Sequence, residues 1–539
     1  METTASLLLS FLVVLILLYK RRPSSLREIP GPKSKSFVLG HLRELLQQPA
    51  GLAEIEWQRV YGDVIRIQTT FGSEQLVVID PKAVQHILCS GYKWRRSPVR
   101  REMGRLSSGK GLAWADGETH KRHRKLMTPG FRASETERFV PVFFACAEAM
   151  STEWKKTILS TDEQSHVFDF TRFLSHATLD AIGLAALDYD FGSIKNYENE
   201  LAKAYEGLTS KAFRAPTDTG LLVLDLFKHF PPAVMEFLND HNPRLKPLHD
   251  VAQVGNRVAQ QLIAQKVEEI QNGHPHNDIY TSLVQANLQE SSKTRLSDDE
   301  LVAQLRNLLF GGHETTTNTI CWAAYGKTCG DLQARLCAEI KSTWKGDDRR
   351  EFDEFTLKEL ELMPLLNAMC KETLRCYPVA IHLFRTANED DVIPLSKPII
   401  GTTGRTIMEI PVPRGTNIVV SPSAYNRLSV RTLAQSPHAS EFNPDRWIEG
   451  RVKTEDSLGM PYANLASFAA GSRSCIGWRF AVAELQVFIV VLLRNFIIES
   501  TPKLANIRRE SALAMIPLIE GELEKGTQLP LRVRLVASK

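Results

Sequence analysis

Between Phe468 and Gly477 the chain reads FAAGSRSCIG, a loop-forming stretch that sets Cys475 between Gly471 and Gly477 and two residues after Arg473. An apolar helical run begins directly afterwards at Trp478. A lone cysteine is ordinarily a small buried hydrophobe. The surroundings of this one suit a thiolate. A nearby guanidinium and the positive end of a following helix both stabilise negative charge on sulfur, and glycines let backbone approach a bulky planar ligand. Any fold for this chain has to bring that loop to a place where a metal is held through sulfur.

A second stretch departs from ordinary helix composition. Ser297 and Glu300 form a capping box ahead of an apolar helix that opens with Leu301, Val302, Leu305, Leu308, Leu309 and Phe310. Gly311-Gly312-His313-Glu314-Thr315-Thr316 then places a carboxylate and two glycines inside it, each glycine costing about 1 kcal/mol against alanine. The residues alone allow two readings: a helix kink with a satisfied polar pair, or a widened groove with an unpaired carbonyl where oxygen or water binds.

The 468–477 stretch resembles the heme-binding signature of the cytochrome P-450 superfamily, F-x-x-G-x-R-x-C-x-G, at Phe468, Gly471, Arg473, Cys475 and Gly477. The glycine-rich helix resembles the superfamily's [A/G]-G-x-[D/E]-T-[T/S] segment. Glu372 and Arg375 resemble its E-x-x-R pair, and Phe442-Asn443-Pro444-Asp445-Arg446-Trp447 resembles its F-x-P-E-R segment with aspartate for glutamate. The tryptophan-glycine pair common shortly before that segment is replaced by Gln435-Ser436, which predicts a local loop change.

The resemblance implies that Cys475 is the axial ligand of heme b, with Phe468 and Arg473 beside the cofactor. Arg124 and Arg385 match propionate-binding arginines, and His120 stands where many relatives carry tryptophan. Glu372, Arg375 and Arg446 match a buried charge network that fixes the cysteine loop more than it adds stability. Glu314 and Thr315 match the residues that deliver protons during oxygen activation. The implied fold is mainly α with a small β-rich lobe, the cytochrome P-450 fold.

The N-terminus predicts a single transmembrane helix. An uncharged run from Ala5 to Tyr19 is followed by Lys20, Arg21 and Arg22, which argues against a cleaved signal and for an anchor with the bulk of the protein in the cytosol, at the endoplasmic reticulum membrane. The predicted organisation is an anchor over 1–22, a proline-rich hinge over 23–41 with Pro30-Gly31-Pro32, and a catalytic domain over 42–539. Further along, a hairpin over 64–68 and 75–79, a helix after Asp80-Pro81, mostly helix over 135–271, a polar surface connection over 271–297, and strands over 385–387, 407–412, 417–421 and near 529–533 are expected.

Charge is nearly balanced, 66 basic against 62 acidic residues, so composition does not call for nucleic acid. Eight cysteines without a C-x-x-C pair suggest reduced thiols. No G-x-G-x-x-G follows a strand, so electrons are expected from a separate NADPH-dependent cytochrome P-450 reductase, with cytochrome b5 as a second donor. Lys121, Arg122 and Lys125 are the cations expected to meet such a partner.

The expected reaction inserts one oxygen atom of O2 into a lipophilic small molecule, a terpenoid or other secondary metabolite, as in fungal members. Alternatives are xenobiotic or fatty-acid oxidation by the same chemistry, a heme-thiolate isomerase or dehydratase, and a silent heme or sterol binder. His313 and His382 are expected as polar contacts in the pocket.

Overall fold

A computed structural model describes residues 25–196, 199–213, 216–273, 278–291, 293–326, 331–343, 355–431, 437–452 and 458–536. The helices that position the site are α1 (Pro81–Cys89), α2 (Pro98–Ser108), α3 (Gly117–Met127), α4 (Ala133–Leu159), α5 (Phe170–Leu187), α6 (Leu208–Phe213), α7 (Lys246–Gln271), α8 (Ile279–Gln289), α9 (Asp298–Gly326), α10 (Pro364–Cys376) and α11 (Trp478–Asn495). The strands are β1 (Val64–Gln68), β2 (Glu74–Val78), β3 (Trp94–Arg96), β4 (Ser165–Asp169), β5 (Leu383–Ala387), β6 (Asp391–Ile400), β7 (Thr406–Val412), β8 (Asn417–Val420), β9 (Phe496–Glu499), β10 (Ile507–Ser511), β11 (Met515–Ile519) and β12 (Pro530–Leu535).

Helices dominate, and the largest sheet runs β1-β2-β8-β5-β3. The two parts have separate apolar cores. Phe143, Phe144, Trp154 and Phe488 lie in the helical one, and Ile65, Val77, Val419 and Trp94 in the sheet one. Leu26 and Ile29 are buried in the sheet core, and the Pro30 carbonyl accepts the Arg66 N–H at 3.0 Å. The described part of the predicted hinge therefore packs onto the body.

α9 lies at the centre, against α5, α7, α10 and α11, and is apolar on nearly every side as a core helix must be. Its capping box forms as predicted: Ser297 N–H donates to Glu300 Oε2 at 3.0 Å, and Glu300 N–H to Ser297 Oγ at 3.3 Å. α9 runs as one continuous helix through the glycine pair, and the Gly311 carbonyl accepts the Thr315 hydroxyl at 2.6 Å, so that carbonyl is not the unpaired one of the widened-groove reading. The two glycines serve different ends. A Cβ on Gly312 would sit 2.5 Å from Ile182 Cδ1, so its absence lets α5 pack tightly; a Cβ on Gly311 would have nothing within 4 Å.

The connection over 271–297 is less superficial than its polarity implies, because α8 buries Ile279, Tyr280, Leu283 and Val284 in the helical core. The predicted anchor over 1–22 and Gln435-Ser436 lie outside the described residues; among those described, no helix is long and apolar enough to cross a membrane. The seven described cysteines are free thiols.

Gly312→Ala is expected to lose about 1–3 kcal/mol through overpacking against Ile182, whereas Gly311→Ala keeps wild-type stability or gains from better helix propensity. Thermal unfolding followed by circular dichroism checks this, and equal destabilisation by both would contradict it.

Candidate functional site

The Cys475 loop is held from both ends. Gly471 adopts φ +65°, and a Cβ there would lie 2.3 Å from the Leu88 carbonyl oxygen, so glycine is needed for the loop to cross the end of α1. That close approach is to protein backbone, where the sequence predicted approach to a ligand. Cys475 N–H donates to the Phe468 carbonyl at 2.8 Å, and the Phe468 ring is half-buried in a cluster with Leu374, Leu465 and Trp478. Gly477 is the N-cap of α11. Cys475 is accessible to solvent, yet burial pushes its thiol up, while the Gly477 N–H and the Arg124 charge pull it down. A side chain both accessible and surrounded by protein lines an internal space. The cation acting on the sulfur is Arg124; Arg473, expected there, instead pairs with Asp116, donates to the Ala115 carbonyl at 3.2 Å, and lies over the Tyr92 ring at 5.1 Å.

Around this loop the fold gathers positive charge. Arg124, on α3, donates to the Ser474 carbonyl at 2.7 Å and its hydroxyl at 3.2 Å. Arg385 on β5 faces Arg96 on β3 directly across an antiparallel pair, a like-charge arrangement that is unfavourable without an anion. Burial, then the neighbouring arginines, lowers Arg385 to about 9 and Arg96 to about 10. His120 is buried and shares a 2.7 Å hydrogen bond with the Tyr92 hydroxyl. Burial and then Arg473, Arg96 and Arg124 push it down to about 3, so it is a neutral ring at physiological pH. Arg96 lies in a run of cations over 93–101 that carries no motif, so the sequence does not single it out. Period-two alternation, with Trp94 buried and Arg95 exposed, is the signal that a strand turns Arg96 the same way as Trp94.

Behind the loop, Glu372 on α10 accepts from four partners. Arg375 donates Nε at 2.7 Å and Nη2 at 2.8 Å, Arg446 Nε at 2.9 Å, Trp447 Nε1 at 2.9 Å, and Asn443 N–H at 2.7 Å. Burial alone would raise this carboxyl, but the Arg375 hydrogen bonds and the two positive charges hold it below its usual range. The same helix is tied to the loop: the Leu374 carbonyl accepts from Ser467 at 2.7 Å and from Asn426, which in turn accepts the Ala466 N–H at 2.8 Å. The predicted triad of Glu372, Arg375 and Arg446 is thus brought together.

On the face of α9, Asn307, Gly311 and Thr315 remain accessible at four-residue spacing while most of their neighbours are buried, so one side of the helix fronts open space. Glu314 points elsewhere. It is buried against α6, where Thr209 donates its hydroxyl at 2.5 Å and its N–H at 3.4 Å. Burial raises its carboxyl to about 7, the Thr209 bonds opposing the shift. Thr209 carries no motif, and only the packing of α6 reveals it.

Two expected pocket contacts are committed to protein groups. His313 Nε2 bonds the Ser175 hydroxyl at 2.7 Å on the α5 side, and His382 Nε2 pairs with buried Glu54 at 2.6 Å. Lys121, Arg122 and Lys125 each have a carboxylate partner, Glu118, Glu300 and Glu290 respectively.

The residues fit a heme. A soft sulfur donor opens onto internal space, Gly311 leaves room for a planar group, and the Nε atoms of Arg96, Arg101 and Arg473 are buried without partners where carboxylates of a porphyrin would be neutralised. Glu372→Ala is expected to cost about 3–5 kcal/mol by leaving Arg375 and Arg446 buried and uncompensated; urea denaturation reads this, and a loss under about 1 kcal/mol would contradict it.

The cytochrome P450 family model matches residues 30–520. Cytochrome P450 monooxygenase claQ of Ampulloclitocybe clavipes is 30% identical over 98% of this chain and 98% of its own length. Cytochrome P450 monooxygenase 91 of Postia placenta is 31% identical over 88% of each, and claO of A. clavipes is 30% identical over 99% of each. With a match across nearly the whole chain and a cysteine loop built to hold a heme, the protein belongs to the cytochrome P450 family and is a heme-thiolate monooxygenase that draws NADPH-derived electrons through a reductase.

Proposed function

We propose that this enzyme hydroxylates a lipophilic secondary metabolite, a terpenoid being the leading class, with Cys475 as the iron ligand. The observation that carries the proposal is the pairing of an accessible but surrounded Cys475 with an open face on the central helix. Fungal cytochrome P450 monooxygenases among the relatives support the monooxygenase reaction.

Heme, when bound, supplies oxygen activation, and a cysteinate ligand favours O–O cleavage. The chain's own residues orient and protect. Arg124, Arg385 and Arg473 would hold the propionates, with His120 neutral beside them and hydrogen-bonded to Tyr92, and Phe468 would cover the loop. Glu372, Arg375 and Arg446 keep the sulfur in place. Glu314 keeps its proton on a carboxyl oxygen up to about pH 7 and exchanges it through Thr209, while the Thr315 hydroxyl is presented on the open face of α9.

The anchor over 1–22, the 23–41 linker and the 42–539 catalytic domain complete the reading: a single-pass protein of the endoplasmic reticulum membrane, with the catalytic domain facing the cytosol. There α3 would meet the reductase, with cytochrome b5 as a second donor. Lys121 and Lys125 remain largely exposed on that helix despite their partners.

The test is product formation from a panel of terpenoids, fatty acids and aromatics with purified reductase and NADPH. A hydroxylated terpenoid is the expected product, and turnover without reductase would point to an isomerase instead. Glu314 is raised from 4.5 to about 7, so its acid form is complete at low pH and is lost as pH rises through about 7. Turnover should fall along that alkaline limb, and Glu314→Gln should remove the limb. A limb unchanged in the variant would assign the proton to another group.

A further inference from the structure

We propose that Arg100 binds a carboxylate on the substrate, so that the enzyme acts on lipophilic acids. This rests on the heme-thiolate reading above and narrows its substrate class.

The first observation is a charge imbalance. Arg96, Arg100, Arg101, Arg124, Arg385 and Arg473 act on one another or on His120 between them, and Asp116, paired with Arg473, is the carboxylate that acts on Arg96, Arg385 and Arg473. Nearby acids are committed elsewhere. Glu102 accepts from Arg105 at 2.7 and 2.9 Å and from Asn239 at 3.1 Å, and Asp391 pairs with His86 at 2.8 Å and accepts from Trp94 at 2.9 Å. Asp116 and the propionates of a heme would answer Arg96, Arg101, Arg124, Arg385 and Arg473. Arg100 is left without an anion, and a desolvated charge without a counter-charge is costly.

The second observation selects Arg100. Arg473 has Asp116, Arg124 has Ser474, Arg385 Nη1 donates to the Phe384 carbonyl at 3.0 Å, Arg101 stacks on Trp114 at 4.1 Å, and Arg96 stands opposite Arg385 with its Nε buried and unpartnered, a position already assigned above to a heme carboxylate. The Arg100 guanidinium has only the Met103 sulfur at 3.8 Å and the face of the Phe384 ring at 5.3 Å. A guanidinium seated on a ring face keeps its in-plane N–H fork free, the edge that matches a carboxylate. Burial lowers it to about 10, so it stays charged at physiological pH.

The third observation is direction. Arg100 lies in the first turn of α2, and at the other end Ser108 donates to Asn307 at 3.4 Å, one turn before Gly311 on the open face of α9. An acid held at Arg100 therefore extends its hydrocarbon part along α2 toward that face, and oxidation falls remote from the carboxylate.

The test is equilibrium titration of heme-loaded full-length protein with palmitic and abietic acids and their methyl esters, read by the ligand-induced absorbance shift and by equilibrium dialysis. At least one acid should bind about tenfold or more tightly than its ester, the effect of one charge-assisted hydrogen-bonded pair. Arg100→Gln should abolish that preference, leave ester binding and heme content unchanged, and Arg100→Lys should restore part of it. No acid preference in the wild type overturns the proposal. So does an Arg100→Gln protein that loses heme along with both ligands, since Arg100 would then serve the propionates. A wild-type protein that takes up no heme would instead refute the underlying site reading.

Discussion

The position of the cysteine loop depends on one buried carboxylate. Glu372 joins α10 to the 443–447 segment through the Arg446 guanidinium, the Trp447 indole and the Asn443 N–H, and α10 then holds the 466–468 stretch through Asn426 and Ser467. A network of this kind is a poor source of stability, since apolar residues of equal volume often do as well. Its value is geometric. Fully paired charges tolerate little displacement, so the segment from Leu465 to Cys475 inherits a fixed relation to the helical core.

The opposite electrostatic logic governs the other side of the loop. There the arginines, buried at Arg385 and Arg473 and half-buried elsewhere, face too few anions, and Arg96 and Arg385 stand directly opposed in the sheet. The folded protein without cofactor therefore carries a repulsion that a dianionic heme relieves, so cofactor uptake and local stability are coupled. This division explains why the sequence places so many guanidiniums within the 96–124 stretch although the whole chain is nearly neutral.

Much of this was legible in the sequence because the informative residues sit in short motifs. The 297–300 capping box, the 64–79 hairpin, the Glu372 triad and the start of α11 at Trp478 lie where the residues place them. What escaped depends on pairing between distant segments. β6 was hidden by Pro394 and Pro398, and only its antiparallel match with β7 makes it a strand. Arg96 gains its role from β5, nearly three hundred residues away. Glu314 lies in a motif, but its partner Thr209 does not. The glycines were read as space for a ligand; Gly312 makes room for Ile182 and Gly471 for the Leu88 carbonyl, and of these three only Gly311 faces open space.

The central claim is that Cys475 ligates a heme iron through its thiolate, and the carbon monoxide difference spectrum of the reduced full-length protein tests it most directly. The wild type, and Cys337→Ala in the helix Leu332–Thr343, should give the thiolate-type spectrum, and Cys475→Ala should not. A wild type without that spectrum, or a Cys475→Ala protein that retains it, would contradict the account.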